Sequence, residues 1–174
     1  QVITTIDAQV SELGRLTAQV KVSLRGDNEL LMRLALRRIP QTEWKQVLQV
    51  VGRVAGITGE VSEHKVSELG KTGEPLHLEF QIEQVNFFDW SRPKSALRPP
   101  LPAQLLRTEE RNEEDEDEPL ELGGPSELVG RLKLQLPEKG VAHAPLSVAL
   151  QRDYAEYRSD YKLEGRVLTA ERAL

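Results

Sequence analysis

Apolar and polar residues alternate from the first positions of the chain. Val2, Thr4, Ile6, Ala8 and Val10 share one parity, Glu12-Leu13-Gly14-Arg15 interrupts them, and Leu16, Ala18, Val20, Val22 and Leu24 resume it. A period of two marks a strand with one buried face, and a glycine between two such runs marks a turn. Residues 2–25 therefore read as an antiparallel hairpin whose apolar face needs a cover. Gly26-Asp27-Asn28 ends the alternation. Asp27 or Asn28 offers a side-chain oxygen to cap a following helix. Leu30, Leu31, Leu34, Ala35 and Arg38 then follow helical spacing, widened by Met32 and Leu36; a buried strand is the other reading of that stretch. Pro40 stops it. Thr42 can cap a second helix through Trp44, Val47, Leu48 and Val51, closed by Gly52 or Gly56.

Alternation is weak over 58–70 and clear over 76–88, where Leu76, Leu78, Phe80 and Ile82 oppose His77, Glu79, Gln81 and Glu83. Pro93, Pro99, Pro100 and Pro102 follow, and then the acidic run Glu113–Glu118. Proline removes backbone donors and like charges resist compaction, so 91–118 reads as an extended connecting segment with a mobile acidic end. Beyond Pro119 strands return, at Leu128–Leu136, Leu146–Leu150, Tyr157–Leu163 and Arg166–Arg172, with turns at Pro137-Glu138-Lys139-Gly140 and Glu164-Gly165. The expected fold is α+β, mainly β, with antiparallel sheets arranged like a β-sandwich and about two helices after the first hairpin. Residues 1–174 form one accessory-sized domain in this reading.

Composition narrows the chemistry. Aromatic residues are only 5% of the chain, so branched aliphatics must fill its interior. The net charge of -5 is local: residues 109–118 hold eight acids and one arginine, and the rest holds 20 acids against 22 bases. No basic field points to nucleic acid, and no apolar run has the length of a membrane span. The chain starts without methionine or a signal-peptide pattern and reads as a piece of a longer polypeptide. It has no cysteine, which excludes a thiolate nucleophile and a cysteine-built zinc site.

Histidine, the usual base near neutral pH, occurs at 64, 77 and 143 with no surrounding motif. There is no H-x-x-x-H pair, no glycine-flanked nucleophilic serine and no P-loop lysine after Gly52, Gly56 and Gly59. The acidic run lacks the fixed ligand spacing of a calcium loop. We therefore expect no catalytic residue, no metal ligand and no cofactor. The remaining candidates for ligand contact are Phe87, Phe88 and Trp90, with Tyr157 and Tyr161 on one strand face. Such rings could stack on sugars or plug the core.

Several short motifs carry a resemblance. They are Glu12-Leu13-Gly14-Arg15-Leu16; Val22-Ser23-Leu24-Arg25-Gly26-Asp27-Asn28-Glu29-Leu30 with Arg33; Pro119-Leu120-Glu121-Leu122-Gly123; Leu134-Gln135-Leu136-Pro137 with Gly140; and Tyr157, Tyr161, Leu168 and Arg172. Together they resemble the uncharacterised domain that follows the transglutaminase-like domain in large bacterial exported proteins. The resemblance implies an accessory, non-catalytic role, with the family's catalytic residues in the preceding domain. It implies a periplasmic or extracellular setting and, as partner, the transglutaminase-like domain of the same polypeptide, with another protein or a glycan as a further contact. The rival readings are a carbohydrate- or peptidoglycan-binding β-sandwich, and a small hydrolase using a serine, His143 or His64, and an acid.

Overall fold

The first hairpin forms as its alternation demands, and everything else is laid against it. The computed structural model describes residues 1–92, 95–102, 126–138 and 141–174. The acidic run 109–118, the motif at 119–123 and residues 139–140 of the expected turn lie outside the described residues. The elements are β1 (Val2–Val10), β2 (Leu16–Leu24), α1 (Asp27–Arg38), a 3₁₀ turn (Gln41–Glu43), α2 (Trp44–Val54), β3 (Glu60–Val66), β4 (Leu76–Gln84), β5 (Leu128–Gln135), β6 (Val148–Arg152), β7 (Ala155–Glu164) and β8 (Val167–Ala173). The class is α+β, mainly β, with two helices directly after the first hairpin.

The strands join in one eight-stranded sheet ordered β3-β4-β2-β1-β5-β8-β7-β6. This corrects the sandwich-like expectation in two respects. Helices and an irregular segment, rather than a second sheet, cover the apolar face. The central pair β1 and β5 runs parallel, with Val2 opposite Leu128 and Ala8 opposite Leu134. Parallel neighbours require a long crossover, and here the chain between β2 and β5 supplies it. That same stretch carries both helices over the sheet.

One face of the sheet is continuous and apolar. Ile6, Val20, Phe80, Leu132 and Ala170 on five neighbouring strands are all buried. Full burial of each of the four larger side chains favours folding by about 1.5–3 kcal/mol. The opposite face carries exposed ion pairs such as Arg15–Glu83 and Lys21–Glu79, worth little individually. Leu48 and Gly52 of α2 face the core. The proline-rich segment is part of this packing: Pro100 and Leu101 are buried, and a side chain at Gly130 would crowd Leu101 and Pro102 at 3.2 Å.

Helix α1 departs from its expected orientation. Leu30, Leu31 and Leu34 face solvent, at 58%, 65% and 40% exposure, whereas Glu29, Arg33 and Leu36 are buried. The reason lies in the loop between β3 and β4. Arg33 donates to the carbonyls of Glu68, Lys71 and Glu74 at 2.9–3.0 Å. Arg25 reaches those of Thr72 and Gly73, and Arg37 that of Leu69. Glu29 ties the set together, accepting from Arg33 at 2.9 Å and from Arg25 at 3.3 Å. Burial pushes the Glu29 carboxyl up, but the hydrogen bonds and charges of Arg33 and Arg25 outweigh it and hold the group below the ordinary carboxylate range. The expected side-chain caps do not form. Gly26 stands at the start of α1 and Glu43 at the start of α2, with no capping hydrogen bond from Asp27, Asn28 or Thr42. Gly56 follows the last turn of α2 with positive φ, while Gly52 lies inside the helix.

Gly14 sits at φ +76°, and a side-chain carbon there would lie 1.8 Å from the Phe88 carbonyl oxygen; Gly165, also at positive φ, has open space around it. Gly165→Ala should cost about 1 kcal/mol for the left-handed backbone alone, whereas Gly14→Ala should cost more than about 2 kcal/mol because the 87–90 segment must also move. Urea midpoints of the two variants measure the difference. Arg33→Met should lower stability by roughly 3 kcal/mol, since it strands a buried carboxylate and three carbonyls. Because the Glu29 carboxyl titrates lower when folded than when unfolded, the stability it contributes is complete above the ordinary carboxylate range and is lost as pH falls through its folded value. Below about pH 5, the melting temperature of the unaltered chain should therefore fall more steeply than that of Glu29→Gln; parallel slopes would contradict the assignment.

Candidate functional site

The helices do not fill the space above the sheet. Because α1 turns Glu29 and Arg33 toward the 68–74 loop, only Asn28 and Met32 project over the strands at that end. Opposite them stand Val51 and Val54 of α2 and Ala55 just beyond its end. The floor is Val2 and Thr4 of β1, Val22 and Leu24 of β2, Leu78 of β4 and Leu128 and Gly130 of β5. The result is an apolar cleft of ≈ 450 Å³, within the size range of small-molecule sites.

Among the described residues one cation, Arg172, lines this cleft. Strand β8 turns Leu168, Ala170 and Arg172 toward the apolar face, and register sets Arg172 between Gly130 of β5 and Ser159 of β7. Its Nε and Nη2 donate to the Tyr161 hydroxyl at 3.0 and 2.7 Å, and its guanidinium carbon lies 5.8 Å from the Tyr161 ring centre. Among the described residues Arg172 makes no ion pair.

The sequence-derived candidates divide between two places. Phe87, Phe88 and Trp90 gather at the β1–β2 turn, half-buried against the core. Phe88 donates its backbone N–H to Gly14 at 3.1 Å, and Trp90 donates Nε1–H to the Ser11 carbonyl at 3.2 Å. Their rings meet edge to face, 4.4 Å apart at 64°, and so present no flat stacking platform. The Ser91 N–H on Asp89 at 2.9 Å fixes the turn between them and, with the Ser91 hydroxyl and Arg92, holds the Asp89 carboxyl below its usual range. Tyr157 and Tyr161 lie on β7, separated from the hairpin by β5 and β8. Tyr161 reaches the cleft through Arg172, while Tyr157 pairs with Leu150 toward the β6 edge. The full sequence signal for Arg172 was its parity: an arginine in the inward register after Leu168 and Ala170.

The histidines are not assembled. His64 lies on β3, His77 on the polar side of β4, and His143 on the stretch before β6. Among the described residues no hydrogen bond joins a histidine side chain to a hydroxyl or carboxylate, and no cluster of histidine and carboxylate has metal-binding geometry. No helix among them is long and apolar enough to cross a membrane.

Comparison with protein-family models, with curated proteins and with solved structures finds no match to this chain.

Proposed function

We propose that this chain is a non-catalytic accessory domain that docks through the outer face of α1 onto the transglutaminase-like domain of the same polypeptide. The observation that carries this reading is the inversion of α1. A helix that buries Glu29 and Arg33 and exposes Leu30, Leu31 and Leu34 presents apolar surface outward, and clustered exposed apolar side chains mark interaction surfaces. The strand and the helix are also tied at this end: the backbones of Gln1 and Arg25 exchange hydrogen bonds at 3.1 and 2.9 Å, two residues ahead of α1. The resemblance supplies the identity of the neighbouring domain and the periplasmic or extracellular setting. The scattered histidines and the lack of cysteine support the non-catalytic part of the reading.

A second apolar exposure lies at the far end of the sheet. On β6 every residue is exposed, and Val148 and Leu150, at 44% and 53%, continue the apolar face past β7. An unpaired edge of this kind suits strand addition by another protein. The rival glycan-binding reading draws less support: Phe87, Phe88, Trp90, Tyr157 and Tyr161 are half-buried, and of the aromatic candidates Tyr154, in the turn between β6 and β7, is exposed at 69%.

The test uses the polypeptide in which this chain follows its transglutaminase-like domain. Leu30→Glu together with Leu34→Glu should leave the isolated chain within about 0.5 kcal/mol of its original stability. In the joined polypeptide the same pair should expose the interface to hydrogen exchange and lower the melting temperature of the neighbouring domain. Unchanged exchange and melting in the joined polypeptide would reject the docking face. Amidase, protease or transamidase turnover by the isolated chain would reject the non-catalytic assignment.

A further inference from the structure

The cleft between α1, α2 and the sheet has a chemical asymmetry that domain docking does not use. Its lining is aliphatic, from Val2, Leu24, Met32, Val51 and Leu128, and would be covered by hydrocarbon at a gain of about 25 cal/mol per Å² removed from water. Among the described residues its single charged side chain is Arg172, which is held by the Tyr161 hydroxyl and by no carboxylate. Tyr161 takes two of the guanidinium's N–H directions, and Nη1 has no hydrogen-bond partner among the described residues. A partly buried cation beside hydrocarbon is costly unless an anion meets it. A guanidinium fork is shaped to bind a carboxylate through two parallel hydrogen bonds. Anchoring by Tyr161 fixes the fork before binding, which reduces the ordering cost of recognition.

We propose that this cleft binds an aliphatic monocarboxylate, with the hydrocarbon between Met32 of α1, Val51 of α2 and the strand floor, and the carboxylate on Arg172. The commitment to a carboxylate follows from charge complementarity and from the size of the cleft, ≈ 450 Å³, which suits a single medium-length chain. The proposal is independent of the docking role of α1, since Met32 and Asn28 face the cleft while Leu30, Leu31 and Leu34 face solvent.

Decanoate, below its micelle concentration, is the probe. Titrated into the full chain, it should shift the methyl resonances of Val2, Leu24, Met32 and Val51 in saturable fashion. Arg172→Gln should weaken it by about 10-fold or more, the scale of a lost charged hydrogen bond. Decanol, which keeps the hydrocarbon and lacks the charge, should bind the unaltered chain as weakly as decanoate binds Arg172→Gln. If Arg172→Gln does not fold, the ratio of decanoate to decanol affinity on the unaltered chain decides alone. Absent methyl shifts, or equal affinity for decanoate and decanol, would overturn the proposal. So would decanoate binding that emerges only once residues 109–118 are replaced by a neutral Gly-Ser linker, because the chain's own carboxylates would then be the anion that Arg172 serves.

Discussion

Three arginines converging on one irregular loop set the orientation of α1, and the character of the molecule follows from that orientation. Six carbonyls between residues 68 and 74 accept hydrogen bonds from Arg25, Arg33 and Arg37. A loop packed beside a helix has no ladder to satisfy its backbone, and unpaired carbonyls would each cost about 1–3 kcal/mol. Rolling α1 to bury its leucines would gain apolar burial and would forfeit this whole set, leaving Glu29 without its cations. The ion pair itself adds little net stability, since desolvation offsets attraction. Its effect is selective: it decides which face of the helix looks inward.

Two consequences meet at this helix. Its outward face exposes Leu30, Leu31 and Leu34, while Glu29 and Arg33 are directed to the loop and leave the sheet uncovered beside Met32. The gap that remains beneath is floored in part by small side chains, Thr4 and Gly130. Gly130 is small for a separate reason, because Leu101 and Pro102 pass directly over it. The cleft and the exposed helix face are thus products of one packing compromise, and among the described residues Arg172 is the only charged side chain that lines the cleft.

Period-two patterning made the strands legible. Val2 to Leu24 is a single amphipathic ribbon, the same rule recovered β4, β5 and β7 from Leu76, Leu128 and Tyr157 onward, and the Glu164-Gly165 turn marked the start of β8, expected over Arg166–Arg172. The parallel pairing of β1 with β5 was not legible, because partner choice depends on the path of the intervening chain rather than on either strand. The face of α1 was misread for a related reason. Leu30, Leu31 and Leu34 imitate a core stripe, and the competing carbonyls lie 35 or more positions away from Arg33. Yet Arg25, Glu29 and Arg33, which stood among the short motifs of the sequence, form the network together with Arg37. Of the aromatic candidates, Phe88 and Trp90 serve the Gly14 turn, and only Tyr161 reaches the cleft. Arg172 stood in plain view at an inward position of β8, where a charge demands a partner.

The most direct measurement is the solvent accessibility of the leucine and methionine methyls in the isolated chain, read from paramagnetic broadening by a soluble nitroxide. The account predicts strong broadening of Leu30, Leu31 and Leu34 together with protection of Leu36 and Leu48, which are 1% and 0% exposed. Protection of Leu30 and Leu34 to the level of Leu48 would mean that α1 buries its leucines, and the inverted helix would be contradicted.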